Sequence, residues 1–279
     1  MGEPMANRLI SAGFALTVWN RSPYKTAALL EQGAHTAPSA RIAVAHADVV
    51  ITMLSNGPAV SELLQMGGVA EALKPGALFV DMSSIPPHSA RAHASFLQAR
   101  GISALDAPVS GGVVGACEGS LAIMVGGDET AFLRAAPIFA ALGRATRVGP
   151  AGSGALAKLA NQMIVGITIE AVAEALLLAQ AGGADPAAVR AAMRGGFAES
   201  RVLELHGARM LARNFTPGAQ ASTQLKDMNS ALEAAHEAGL KLPLLQQTHD
   251  LFLALTEHGG AGLDHSALLV ELERLNGSQ

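Results

Sequence analysis

The chain has 279 residues, 50% of them hydrophobic and 15% charged, with a formal net charge of −4. That length and apolar content suit two ordinary domains, and a weakly acidic chain without a basic stretch has no electrostatic footprint for nucleic acid. One cysteine, Cys117, cannot form an internal disulfide, and the N-terminus has no signal-peptide layout, so a cytoplasmic protein is expected.

The opening, Met1-Gly2-Glu3-Pro4-Met5-Ala6-Asn7, reads as the end of a dinucleotide fingerprint. Such a fold starts with an apolar strand, then G-x-G-x-x-G, then a helix. Here only the last glycine, Gly2, and the helix after it are present. The expectation is a start at an internal Met, and an open slot in the sheet where the first strand would run. Short apolar runs at 16–19, 49–53, 77–80, 102–105, 121–125 and 146–148 are bounded by Gly, Pro, Asn or Asp and are predicted strands. Helix-length segments separate most of them. Residues 1–150 therefore read as an α/β domain, a Rossmann-like doubly wound parallel sheet with its first strand missing.

Three strand ends point to a cofactor crevice, which such sheets form at their carboxyl edge. The first continues into Asn20-Arg21-Ser22, where an acidic residue would bind both ribose hydroxyls of NAD; donors and a guanidinium suit a 2′-phosphate instead, favouring NADP with NAD still open. The next two carry Met53-Leu54-Ser55 and Asp81-Met-Ser83-Ser84. The segment Asp106-Ala-Pro-Val-Ser110-Gly111-Gly112 then places a hydroxyl beside glycines whose N–H groups a small anion can approach closely.

After residue 150 the strand signal vanishes. Gly152-Ser-Gly154-Ala-Leu-Ala-Lys158-Leu-Ala-Asn161 is a glycine-rich turn entering a helix, with Lys158 and Asn161 three apart on one face. The stretch 156–181 is apolar on most sides and is predicted to be buried all round. Glu170 and Glu174 interrupt it, so no membrane span is expected. Asp185-Pro186 reads as an N-cap, and further helices are predicted at 186–194, 200–213, 222–239, 243–258 and 264–276. Residues 151–279 thus form an all-α domain joined through the long helix. Rival motifs fail: the glycines at 149–154 lack the lysine of a P-loop, and the histidines form no metal-binding pattern, so no metal is expected. His206, His236, His249 and His258 are expected on helix surfaces.

These segments, together with Ile51-Thr-Met-Leu54, Ile123-Met-Val-Gly-Gly127, Arg194-Gly-Gly196, Arg213-Asn-Phe215, Lys226-Asp227 and Asp264-His-Ser-Ala-Leu268, resemble the β-hydroxyacid dehydrogenase family related to 3-hydroxyisobutyrate dehydrogenase. Within it the chain is most similar to the tartronate semialdehyde reductase (2-hydroxy-3-oxopropionate reductase) subgroup, and the resemblance covers almost the whole chain after the lost strand. It implies NAD(P)H-dependent reduction of a small carboxylated aldehyde, tartronate semialdehyde giving D-glycerate. Lys158 would be the general acid/base and Asn161 would hold substrate or lysine. Ser110, Gly111 and Gly112 would bind the carboxylate. Gly2, Asn20, Arg21, Ser22, Met53, Leu54, Ser55, Ser84 and Lys226 would face the cofactor. A lysine with the ordinary pKa of about 10.4 is a poor acid–base catalyst, so burial or a neighbouring cation such as Lys226 is expected to lower that of Lys158. A homodimer or homotetramer built through the helical domain fits the resemblance. Two departures stand out: the absent first strand, and Asn-Arg-Ser where relatives place an acid. Other readings stay open: a 3-hydroxyisobutyrate, succinic semialdehyde or glyoxylate reductase, or a non-catalytic member that has lost cofactor binding. Lys158, Asn161 and the Ser110 loop argue against an imine reductase.

Overall fold

The computed structural model describes residues 1–277 and divides into two compact units, 1–158 and 159 onward. In the first unit, β3 (Val49–Thr52), β4 (Leu78–Asp81) and β5 (Ser103–Asp106) run parallel, with Thr52, Asp81 and Asp106 in register at their carboxyl ends. All four residues of β4 are buried. Leu78 and Val80 enter one core with Leu105, Ile123, Val125 and Phe139; Phe79 enters a second core with Val60, Leu64 and Leu97. Successive side chains of a strand point to opposite faces, so a continuous apolar strand implies helices on both sides. Those helices are α1 (Gly2–Ser11), α2 (Ala27–Glu31), α3 (Ala40–Val44), α4 (Gly57–Gln65), α5 (Val69–Ala72), α6 (Pro87–Gln98), α7 (Gly112–Glu118) and α8 (Glu129–Leu142). Full burial of side chains such as Leu64 or Phe79 stabilises the unit by roughly 1.5–3 kcal/mol each.

The expected interruption of the sheet is present. β1 (Thr17–Val18) pairs only with β2 (His35–Thr36), forming a separate two-stranded parallel sheet, while β3 is an end strand of the six-stranded sheet. Two features were not predicted. β2 is two exposed residues with no apolar signal, and β6 (Val109–Ser110) lies inside the Ser110 loop. β7 (Leu121–Gly127) enters antiparallel to both β5 and β6 and carries β8 (Gly143–Gly149) parallel on its other edge. The sheet is therefore mixed at this side, as a strand reached by a short connection must be.

The second unit is helical. α9 (Ser153–Ala181) runs from the first unit into it, followed by α10 (Pro186–Met193), α11 (Arg201–Leu211), α12 (Ala221–Glu237), α13 (Pro243–Glu257) and α14 (Leu268–Leu275). Asp185 caps α10 as predicted, accepting the N–H of Ala187. Ile169, Val172, Ala173 and Leu176 of α9 pack with Leu203, Phe252 and Leu268. The prediction that α9 is buried all round is corrected: Ile164 and Leu178 are 62% and 75% exposed, so an apolar stripe remains uncovered in the single chain. By length and hydropathy alone α9 would reach across a membrane. Its Glu170, however, is buried and accepts hydrogen bonds from Gln247 and Thr248 of α13, which is how a core helix of a helical unit carries a carboxylate.

Candidate active site

The carboxyl edge of the sheet gathers several of the residues expected at a cofactor. Gly2 opens α1 beside the end of β3: a Cβ on Gly2 would come within 3.9 Å of that of Met53. The first turn of a helix presents unpaired N–H groups and positive dipole, which suits phosphate. Leu54 donates its N–H to Ser83 Oγ at 2.8 Å, and Thr52 Oγ1 donates to Asp81 Oδ1 at 2.9 Å, so the ends of β3 and β4 are laced together. Ser55 and Ser84 continue these two strand ends. Asp81 and Ser83, read from the sequence only as part of a polar strand end, are the side chains that make these ties. Burial pushes the Asp81 carboxyl above its usual range, against hydrogen bonds from Ser83 and Thr52. At the end of β1 the Ser22 N–H donates to Asn20 Oδ1 at 2.9 Å, a local turn that leaves the Arg21 side chain projecting outward. The donors expected of a nicotinamide dinucleotide site therefore fit along this edge, with Gly2 the one fingerprint glycine in the chain.

Asp106 joins two segments that lie about fifty residues apart. It ends β5 and is buried, and its two oxygens accept the N–H groups of Gly152 and Ala155, each at 2.8 Å. A helix leaves its first N–H groups without partners, and a carboxylate there also complements the dipole. Asp106 thus acts as a remote cap for α9. Burial pushes its pKa up, and the hydrogen bonds from Ala155 and Gly152 oppose that shift. Gly154 is required at this junction, since a Cβ there would collide with the carbonyl oxygens of Asp106 and Met124. One turn into α9 comes Lys158, buried at 8% exposure.

The same strand leads directly to the expected carboxylate cradle. Ser110 is half-buried on β6, and Gly111 and Gly112 turn the chain into α7 with φ of 133° and 63°. Side chains rarely adopt such values, so the glycines are needed for the turn itself. Ser110, Gly111, Gly112 and Lys158 all belong to the first unit.

Asn161 and Lys226 belong to the second. Lys226 Nζ lies 3.1 Å from Asp227 Oδ1, and Asp227 is only 2% exposed. This is no ordinary surface charge pair. Asp227 Oδ2 accepts the side-chain N–H of Gln162 at 2.8 Å, and Gln162 Oε1 accepts from Asn161 Nδ2 at 3.0 Å. Gln162 was not singled out from the sequence, although it follows Asn161 directly.

The histidine expectation needs correction in part. His206 and His249 are not surface groups: their side chains are 19% and 13% exposed. His206 Nε2 lies 3.2 Å from His265 Nε2, with the rings edge to face. Potential ligand atoms of His206, Asp264 and His265 lie within 4.8 Å of one another. The chemistry argues for structure rather than for a cation. Asp264 Oδ1 accepts the Ser266 N–H and hydroxyl, Oδ2 accepts from Gly218 and Ala219, and Arg209 stands 3.4 Å away. Burial alone would raise the Asp264 pKa, but the imidazole of His206 3.6 Å away, with hydrogen bonds from Ser266 and Gly218, outweighs it and holds the carboxyl far below its usual range.

Two family models match successive parts of the chain. Residues 1–152 match the family described as the NAD binding domain of 6-phosphogluconate dehydrogenase, and residues 152–272 match that described as NAD-binding of NADP-dependent 3-hydroxyisobutyrate dehydrogenase. The 2-hydroxy-3-oxopropionate reductase of Escherichia coli (strain K12) is 46% identical over 275 residues, covering 98% of this chain and 94% of that protein. A 3-hydroxyisobutyrate dehydrogenase of Pseudomonas aeruginosa is 35% identical, covering 96% and 92%. Among solved structures, a Mycobacterium tuberculosis 3-hydroxyisobutyrate dehydrogenase with L-serine superposes with a TM-score of 0.89 at 32% identity, covering 98% of this chain and 95% of that one.

Proposed function

Because the chain belongs to the β-hydroxyacid dehydrogenase family related to 3-hydroxyisobutyrate dehydrogenase, and so is an NAD(P)-dependent oxidoreductase of hydroxyacids, we propose that it reduces tartronate semialdehyde to D-glycerate with NADPH. The observation that carries the reading is the tie at Asp106. That one carboxylate starts the segment bearing Ser110, Gly111 and Gly112, and caps the helix bearing the buried Lys158.

A bound nicotinamide supplies the hydride. The chain's own residues do the rest. Ser110 Oγ and the N–H groups of Gly111 and Gly112 hold the substrate carboxylate and so orient its aldehyde. Lys158 Nζ delivers a proton to the oxygen that becomes the hydroxyl, and takes it back in the oxidative direction. Asn161, three residues on along α9, positions the reacting group by hydrogen bonds without adding charge. Lys226, held by Asp227, serves the cofactor. Arg21 favours NADPH over NADH through a 2′-phosphate. The uncovered apolar stripe of α9, with the fully exposed Phe197, supports self-association of the helical unit into a dimer or tetramer.

The test follows oxidation of NADPH and NADH separately with tartronate semialdehyde, succinic semialdehyde and glyoxylate, and reduction of NADP and NAD with 3-hydroxyisobutyrate. Lys158→Met is expected to lower kcat by about 10²–10⁴ while cofactor binding persists. Faster turnover of another acid would move the substrate assignment, and an active Lys158→Met enzyme would defeat the mechanism.

A further inference from the structure

The proposed roles leave one buried polar cluster of the first unit unused. Between α6 and the strands β4 and β5 lies a cavity of about 10 Å³, lined by Phe79, Asp81, His93 and Asp106 with small neighbours. That volume suits about one water molecule and nothing larger. Asp81, His93 and Asp106 are all buried. Two of their atoms, Asp81 Oδ2 and His93 Nδ1, have no hydrogen-bond partner among the described residues. Their other ends are committed. Asp81 Oδ1 accepts from Thr52 Oγ1 at 2.9 Å and from the Ser83 N–H at 3.0 Å, and His93 Nε2 lies 2.7 Å from Ser61 Oγ of α4. A buried carboxylate oxygen and a buried ring nitrogen each need a partner to offset the hydration they lose.

We propose that this cavity binds a single water molecule, which accepts the His93 Nδ1–H and donates to Asp81 Oδ2, making His93 a positioning residue for the cofactor edge. This rests on the reading above, in which the ends of β3 and β4 face the cofactor. The polarity follows from the groups present. The Ser61 hydroxyl has no second partner among the described residues, so it donates to Nε2 and leaves the ring proton on Nδ1. A water gives that N–H an acceptor and gives Asp81 a donor, and its second proton has the Asp106 carboxylate as the other acceptor lining the cavity. Burial holds the His93 pKa below its ordinary value, which keeps the ring neutral and its tautomer defined. The effect reaches the cofactor edge through Asp81. Its Oδ1 holds Thr52 and Ser83, and Ser83 Oγ in turn accepts the Leu54 N–H at 2.8 Å. With Oδ2 supplied with a donor, Asp81 stays ionised and Oδ1 remains a strong acceptor; deprived of that donor, it takes up a proton and the lacing of β3 to β4 loosens.

The experiment joins a high-resolution crystal structure of the full chain to NADPH binding, read from nicotinamide fluorescence, and to kcat, KM and melting temperature. The crystals are expected to show one water within hydrogen-bond distance of His93 Nδ1 and Asp81 Oδ2. A dry cavity, or a direct bond between the two side chains, overturns the proposal. His93→Leu is expected to weaken NADPH binding about 5- to 20-fold and to raise the KM for NADPH in step, while kcat at saturating NADPH stays within threefold. His93→Asn brings an amide N–H near the place of Nδ1–H and should bind NADPH within threefold of the parent. A merely structural role would lower the melting temperature of both variants and leave NADPH affinity within twofold, which overturns the positioning role; so does equal weakening in the two variants. Gly2→Asp tests the premise, since its Cβ has room and its carboxylate would repel a phosphate at the start of α1. If Gly2→Asp weakens NADPH binding at least tenfold while the His93 variants match the parent, only the positioning role has failed. If it too binds like the parent, the cofactor edge is misplaced and the inference falls with it.

Discussion

Replacing Asp106 by Asn tests the structural premise of the site. The carboxylate accepts two N–H groups at 2.8 Å, from Gly152 and Ala155, within a buried junction. An asparagine oxygen can satisfy one of them, while its NH₂ faces the other. A buried donor left unmet costs about 1–3 kcal/mol, and the mismatched amide adds a similar amount. Against this stands a gain: burial holds the Asp106 pKa above its unfolded value, so ionisation at neutral pH costs the folded unit something that Asn does not incur. The sign follows directly. Wild-type stability should decline as pH rises from the unfolded carboxylate pKa, about 3.9, through the raised folded value, and level off above it; the variant should lack that slope. The net loss expected at neutral pH is about 1–3 kcal/mol. For a unit of this size that lowers Tm by about 3–10 °C. Trp19, the single tryptophan, lies in the first unit and reports its unfolding, while circular dichroism follows both units. Turnover should fall at least tenfold, since loosening the first turn of α9 displaces Lys158. An Asn variant that melts with the parent and keeps full kcat would refute the claim that this carboxylate anchors the lysine helix.

Other expectations follow from single features. Arg21→Asp should shift the kcat/KM ratio of NADPH to NADH toward NADH by about 10- to 100-fold, because an acid there accepts ribose hydroxyls and repels a 2′-phosphate; an unchanged ratio excludes Arg21 from cofactor choice. Asp264→Asn should destabilise the helical unit by about 2–4 kcal/mol at pH 7, since the folded carboxylate pKa is depressed and its contribution is complete above about pH 4. That contribution should fade as pH falls below the unfolded value, so parent and variant should converge in acid; a gap independent of pH would show the ionised form to be irrelevant.

Much of this architecture was legible because apolar periodicity and punctuation carry it. The burial of β4 on both faces follows from an unbroken Ala-Leu-Phe-Val run, and the start of α10 from Asp185-Pro186. What escaped was set by tertiary pairing. β2 is His35 and Thr36, held by a neighbour rather than by propensity, and the antiparallel entry of β7 depends on the path of the chain through β6 and α7, which no local pattern encodes. Full burial of α9 was over-read, because an apolar helix surface says that something covers it, not that the same chain does. The candidate lysine, asparagine and glycine turns were visible as motifs. Asp106 as a remote cap and Gln162 as a connector were not, since each gains its meaning from a partner far along the chain.

Those two missed residues hold one helix at two places. Asp106 bonds to the N–H groups at the start of α9, and Gln162, two turns on, bonds to Asp227 of α12. Lys158 and Asn161 lie between these ties on one helix, so its backbone would carry the precision that their proposed roles in acid–base transfer and substrate orientation require. Each tie lies within its own unit, and so the two perturbations should differ in kind. Loss at Asp106 acts first on Lys158 and should appear mainly in kcat and in its pH profile. Loss at Gln162 acts on Asn161 and Lys226 and should appear mainly in KM and cofactor affinity.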